Sequence, residues 1–183
     1  MKKITILSLL LVFSLTFASA QSIQGQWMVD QETLQREGVA QDDKTVIMVL
    51  AFEDDNCVIL MDVSGDEPEL GELGMQFYMP GTFTQNGKTV SCQFVKELGD
   101  MEISTFNPSD EDLKELVSTD EGRKIIINAI KERVKDSIDD VTNHLYEFTT
   151  YLFPCEIVSQ TQDKLTVKAS DGTIVGFDRL PDN

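Results

Sequence analysis

A chain of 183 residues with 32 acidic and 15 basic side chains carries a formal net charge of −17, and 41% of it is hydrophobic. So negative a surface repels nucleic-acid phosphates and anionic membranes, which argues against both as partners. The length is that of one domain with a moderate core.

The N-terminus reads separately from the fold. Lys2 and Lys3 give a positive start, residues 4–17 an apolar stretch, and Ala18-Ser19-Ala20 the small side chains that a signal peptidase reads. The apolar stretch is shorter than the roughly 20 residues of a comfortable membrane span. The expectation is an export signal over residues 1–20 and one mature domain over residues 21–183, periplasmic or secreted. Without residues 1–20, 13 basic side chains stand against 32 acidic ones. No cysteine sits at the cleavage point, so a lipoprotein-type anchor is not expected, nor is an integral membrane span elsewhere.

Residues 24–30 read as a first strand and residues 31–44 as a polar loop or short turn. Residues 45–52 (TVIMVLAF) and 57–63 (CVILMDV) flank Glu53-Asp54-Asp55-Asn56, a strong hairpin signal. Both strands are apolar on both faces, so a cover outside the sheet is expected. Residues 64–74 (SGDEPELGELG) read as an acidic surface loop. Residues 75–84 form a further strand with a bend at Pro80-Gly81, where proline removes a ladder donor. Gln85-Asn86-Gly87 is a tight turn. Residues 88–96 then alternate most cleanly, with Val90, Cys92 and Phe94 on one face and Thr89, Ser91 and Gln93 on the other. Residues 101–106 give a sixth strand.

There the period changes. Residues 107–112 carry a polar cap, an early proline and acids that suit the positive end of a helix dipole. A short helix to about residue 117 is followed by a longer one capped at Thr119. Its stripe is Ile126, Ile130, Val134 and Ile138, joined by Ile127 and Val141, the cover that the doubly apolar strands require. Residues 144–153, with Tyr146, Phe148, Tyr151 and Phe153, read as a strand again, ended by Pro154. Residues 155–161, 164–169 and 173–180 form a closing meander. Short turns force antiparallel neighbours, and about eight such strands tend to close and remove their edges. The fold class is therefore mainly β: an antiparallel up-and-down barrel of about eight strands, with a helical insertion over about residues 109–140 after the sixth strand.

Cys57, Cys92 and Cys155 make an odd count, which leaves at least one thiol unpaired in an oxidising compartment. No CxxC spacing points to zinc or redox chemistry, and the three read as small buried apolar residues. Whether any two pair is open at this level.

Gly25-Gln26-Trp27 matches the glycine-x-tryptophan signature at the first strand of the lipocalins, and Arg179 sits where that family keeps a basic residue on its last strand. With Lys164-Leu165-Thr166-Val167, Asp171-Gly172-Thr173 and Phe177-Asp178-Arg179-Leu180, the mature chain resembles the lipocalin-like domains, in particular exported lipocalin-like proteins of Bacteroides-type bacteria. The resemblance implies that Arg179 packs over the Trp27 ring and closes one end of the barrel. The helices depart from the family's usual place after the last barrel strand.

The side chains expected inside the barrel are Met48, Leu50, Phe52, Ile59, Met61, Phe77, Met79, Val90 and Phe94. Methionine and phenylalanine adapt to irregular apolar molecules, so the expected partner is a small hydrophobic or amphipathic ligand held in the barrel, with no cofactor. The alternative is that these side chains simply fill the barrel. The chain would then be a non-catalytic structural or protein-interaction module of the cell envelope, presenting the acidic segment 67–72 or the helices. Catalysis is not expected: His144 is the lone histidine, with no nucleophile motif or metal-ligand pair around it. Asp54-Asp55-Asn56 and Asp110-Glu111-Asp112 lack the alternating spacing of a calcium loop, so no metal site is expected. The segment to search is the middle of the chain, between the methionine-rich strands and the helices at residues 109–138.

Overall fold

The computed structural model describes residues 22–38, 44–68 and 70–181; the expected export signal lies outside them. In chain order the elements are β1 (Gly25–Val29), α1 (Gln31–Arg36), β2 (Lys44–Glu53), β3 (Asn56–Glu67), β4 (Gly71–Asn86), β5 (Thr89–Phe94) and β6 (Asp100–Asn107), with a 3-10 turn at Lys96–Leu98 between the last two. Then come α2 (Glu111–Val117), α3 (Asp120–Arg133), α4 (Lys135–Leu152), β7 (Cys155–Gln160), β8 (Lys164–Lys168) and β9 (Ile174–Arg179). Strands β1, β2, β3, β4, β5, β7, β8 and β9 pair in that order, and β9 returns to β1, closing an eight-stranded antiparallel barrel. The ninth strand, β6, is an extra partner of β4.

Closure depends on β1 and β9. Trp27 stands opposite Arg179 in the ladder, and the guanidinium carbon lies 5.2 Å from the ring centroid. The indole is fully buried, and its N–H donates to the Ile23 carbonyl at 2.6 Å, so burial leaves no orphan donor. Gly25 makes room for the arginine: it has φ +111°, and a Cβ there would meet Arg179 Nη2 at 2.7 Å.

Strand β4 carries two partners on one edge. Its 16 residues pair with β3 from Gly71 to Thr82, while the other edge takes β6 from Glu72 to Tyr78 and β5 from Gly81 to Asn86. The exchange falls at Pro80-Gly81, the expected bend. Pro80 has no N–H to offer the ladder, and its carbonyl accepts from Val95 N at 2.9 Å. At Gly81 the β5 backbone crosses the space a side chain would need, since a Cβ there would meet Gln93 O at 2.5 Å.

Strand β5 continues to β7 over only two residue pairs, Thr89↔Glu156 and Val90↔Cys155. Beyond them α4 serves as the wall, packing on β4, β5, β6 and the 3-10 turn. Its 18 residues reach about 27 Å at 1.5 Å per residue, long enough to run the length of the barrel.

Four expectations change. Residues 144–152 are the C-terminal half of α4 and Phe153 is the extended residue that ends it, so the helical insertion runs to Leu152 and not to about residue 140. Aromatic β-propensity suggested a strand, but Thr142, Leu145, Thr149 and Leu152 continue the helical stripe and are buried, whereas Tyr146 is exposed. The expected loop 64–74 is mostly ladder: pairing continues to Glu67↔Gly71, because backbone pairing ignores the acidic side chains that signalled a loop. Residues 31–36 of the expected loop form α1, capped by Asp30, whose carboxylate accepts from Thr33 N at 2.7 Å. The long helix after Thr119 is two, broken at Val134: the second packs on β4, β5 and β6, the first chiefly on its neighbouring helices with Ile130 against Leu73 and Phe106, and Ile47 on the outer face of β2 stays exposed.

The Trp27–Arg179 contact carries the first prediction. Arg179→Ala should lower stability by about 1–2 kcal/mol through loss of the cation–π contact and of the aliphatic packing. The check is the urea midpoint, with the denaturant slope unchanged.

Candidate functional site

Side chains alternate along the strands, so one set from each faces inward. From β2 these are Val46, Met48, Leu50 and Phe52; from β3, Cys57, Ile59 and Met61; from β4, Phe77, Met79 and Phe83. All of them are buried in one apolar cluster. The cluster holds every expected interior residue: Phe94 is half-buried against it and the others are buried.

The two ends of the barrel differ. At the end closed by Trp27, packing leaves a cavity of only about 10 Å³, lined by Leu50, Phe52, Val90, Leu152, Phe153 and Phe177 among others. Phe52 meets Phe83 edge-on at 4.9 Å, and Phe94 leans on Phe153 at 6.2 Å, so aromatic edges fill this end.

At the other end, where β2 begins and the β3–β4 hairpin turns, a pocket of about 520 Å³ opens between the strands and the helices. Leu73, Met75 and Phe77 of β4 form its floor, and Ile126, Ala129, Ile130 and Val134 its roof. Leu73, Ile130 and Phe106 make a second small core beside it, which fixes α3 against the hairpin. The roof residues are neighbours because they recur at helical spacing across the end of α3. Polar groups stand at the rim: Lys44, Glu67, Arg133 and Ser137. Lys44 and Glu67 follow the inward alternation of their strands and form an ion pair at 3.2 Å. Both are about one-third exposed, so the pair adds little stability and leaves Lys44 able to exchange partners.

Of the expected ligand residues, Phe77 lines this pocket and Leu50 and Phe52 line the small cavity. Met48, Ile59, Met61 and Met79 are packed in the core. Lys44, Leu73, Met75 and Arg133 were missed as lining residues. The inward alternation that selected Phe77 and Met79 includes Met75 within the expected strand 75–84, and it reaches Leu73 once the ladder is known to continue past Gly74. The stripe Ile126, Ile130, Val134 was legible as an apolar face, though not as the roof of a pocket. His144 is exposed on α4 with Nδ1 at 2.7 Å from the Asp140 carbonyl, outside the pocket. Among the described residues no cluster of histidine, cysteine, aspartate or glutamate could hold a metal ion, and no helix is long and apolar enough to cross a membrane.

Comparison with protein-family models, with curated proteins and with solved structures finds no match to this chain. The pocket's own chemistry has to carry the functional reading. What it offers is an apolar concavity of ligand size, with a few polar groups at one side and a rigid barrel beneath.

The thiols lie at the closed end. Burial pushes Cys155 up to about 12, from 9.0 for a free thiol. A folded chain that keeps its proton longer than the unfolded one has this stability in full below about pH 9 and loses it as the pH climbs toward 12. Cys155→Ala should therefore lose less stability than the parent between about pH 8 and about pH 10.5, as read by urea unfolding at both.

Proposed function

We propose that the chain is an exported, lipocalin-like binding protein that holds a small apolar or amphipathic molecule in the pocket between β4 and α3. The observation that carries this reading is the pocket itself: about 520 Å³, inside the range of small-molecule sites, with an apolar floor and roof. Removing the ligand's apolar surface from water supplies the affinity, at about 25 cal/mol per Å² before the costs of association. Lys44 and Arg133 at the rim would meet the polar end of an amphipathic molecule. The closed barrel supports the lipocalin-like assignment, as does the Trp27–Arg179 contact. The positive start, apolar stretch and Ala18-Ser19-Ala20 support export.

The tight packing of the closed end, with about 10 Å³ free, favours a second reading: a non-catalytic interaction module of the cell envelope whose barrel is filled. A pocket-blocking variant separates the two. Ala129 is exposed and lines the pocket, so Ala129→Trp puts an indole into it without disturbing the core. Binding of a hydrophobic fluorescent dye or a long-chain fatty acid should weaken about tenfold or more, as expected for a lost pocket, while the melting temperature holds. Absence of saturable binding by the parent protein, together with no lipid-like mass in native mass spectrometry, would overturn the ligand reading. In the exported fraction, intact mass should correspond to a chain beginning at Gln21.

A further inference from the structure

The charges at the pocket between β4 and α3 run against the trend of the chain. Acidic side chains outnumber basic ones 32 to 15 in the whole sequence. Among the described residues that line the pocket, the charged ones are Lys44, Arg133 and Glu67, so here two cations meet one anion. Arg133 follows Ala129 and Ile130 by one helical turn, which puts it on the same face of α3 as the apolar roof. Lys44 opens β2, and the residue opposite it in the ladder is Gly65. With no side chain there to meet, the lysine reaches its diagonal neighbour, Glu67, whose carboxylate lies 3.2 Å from Nζ. A carboxylate therefore already sits against an ammonium at the mouth of an apolar concavity. Both side chains are about one-third exposed, so separating them costs little, and a displaced Glu67 reaches water.

We propose that the pocket selects a single-chain amphiphile with an anionic carboxylate head, and that Glu67 is the protein's own competitor for Lys44. The ligand's head displaces the Glu67 carboxylate from the Lys44 ammonium, and its chain lies between the floor of β4 and the roof of α3. This rests on the proposed binding function and adds to it the charge of the head group and the residue that limits affinity. A cationic head would find one partner, Glu67, and two like charges, Lys44 and Arg133. A neutral hydroxyl would have to take Lys44 from a carboxylate, which is the stronger acceptor. An anionic head replaces like with like at Lys44 and gains the field of Arg133, so only this class leaves every charge at the rim with an opposite neighbour.

Dodecanoate, dodecanol and dodecyltrimethylammonium share one chain and differ in the charge of the head. Their affinities are measured at neutral pH and low salt, below micelle formation, by displacement of an uncharged hydrophobic dye. The parent protein should take dodecanoate about tenfold more tightly than either of the others. Lys44→Gln should lower the ratio of dodecanoate to dodecanol affinity about tenfold, and Glu67→Gln should raise it about threefold. The two variants break the same ion pair, so a purely structural role for that pair would move the ratio in one direction in both. Dodecanol or the ammonium binding as tightly as dodecanoate, or a ratio that fails to move in opposite directions, would overturn the selectivity and leave the pocket as a binding site. Dodecanoate binding that survives Ala129→Trp would place it elsewhere and overturn the proposal too. Saturable binding of none of the three would remove the binding function itself, and this inference with it.

Discussion

The architecture follows from a mismatch in strand length. Strand β4 is 16 residues long, and β5, on the edge away from β3, is only 6. A strand edge left bare exposes a row of amide donors and acceptors, and β6 takes up the rest of it. Having two partners in line on one edge divides the barrel. Where β5 pairs with β4 and then β7, the wall is continuous and tight. Where β6 pairs instead, the chain does not go on to β7, and α4 lies in the remaining space.

The two ends then acquire different physics. At the tight end Trp27, Phe52, Leu152 and Phe153 meet at packed-core density, and the arginine over the indole closes β1 to β9. At the wide end the floor is strand and the roof is helix, two surfaces of different curvature that fill the space between them less completely. The pocket between β4 and α3 is that unfilled space. Its neighbour, the small core of Leu73, Phe106 and Ile130, keeps the roof from settling onto the floor. The bend that divides the edge, Pro80-Gly81, also lets the β5 backbone approach β4 closely, because the inward position there lacks a side chain. The tight wall and the pocket are both consequences of how one strand is shared.

Much of this was legible in the residues. The hairpin of β2 and β3, the alternation of Val90, Cys92 and Phe94, the turn at Gly87, the helix start within residues 107–112 and the cap at Thr119 all act through near neighbours, and each lies where local chemistry puts it. The pattern misled where local preference and tertiary demand differ. Tyr146, Phe148 and Tyr151 favour extended backbone, yet the gap beside β5 is filled by a helix whose inner face is Leu145, Thr149 and Leu152. Gly65, Asp66 and Glu67 look like a loop, yet the register already set by Cys57 to Val63 carries the ladder on to the Glu67↔Gly71 pair.

The sequence by itself determined the class of fold, because the period of its apolar residues and the chemistry of its turns leave little choice beyond a closed antiparallel sheet interrupted by helix. The pair that joins the two ends of the chain, Trp27 and Arg179, was implied by the resemblance of the first and last strands to a known family, not by periodicity or turn chemistry. Only the tertiary structure decided where space remains. Met48, Ile59 and Met79 carry the same apolar signature as Phe77, and no local feature distinguishes a side chain that fills a core from one that borders a void. That distinction depends on the curvature of β4, the reach of α4 and the angle of α3, which are properties of the assembled barrel and not of any one stretch of its sequence.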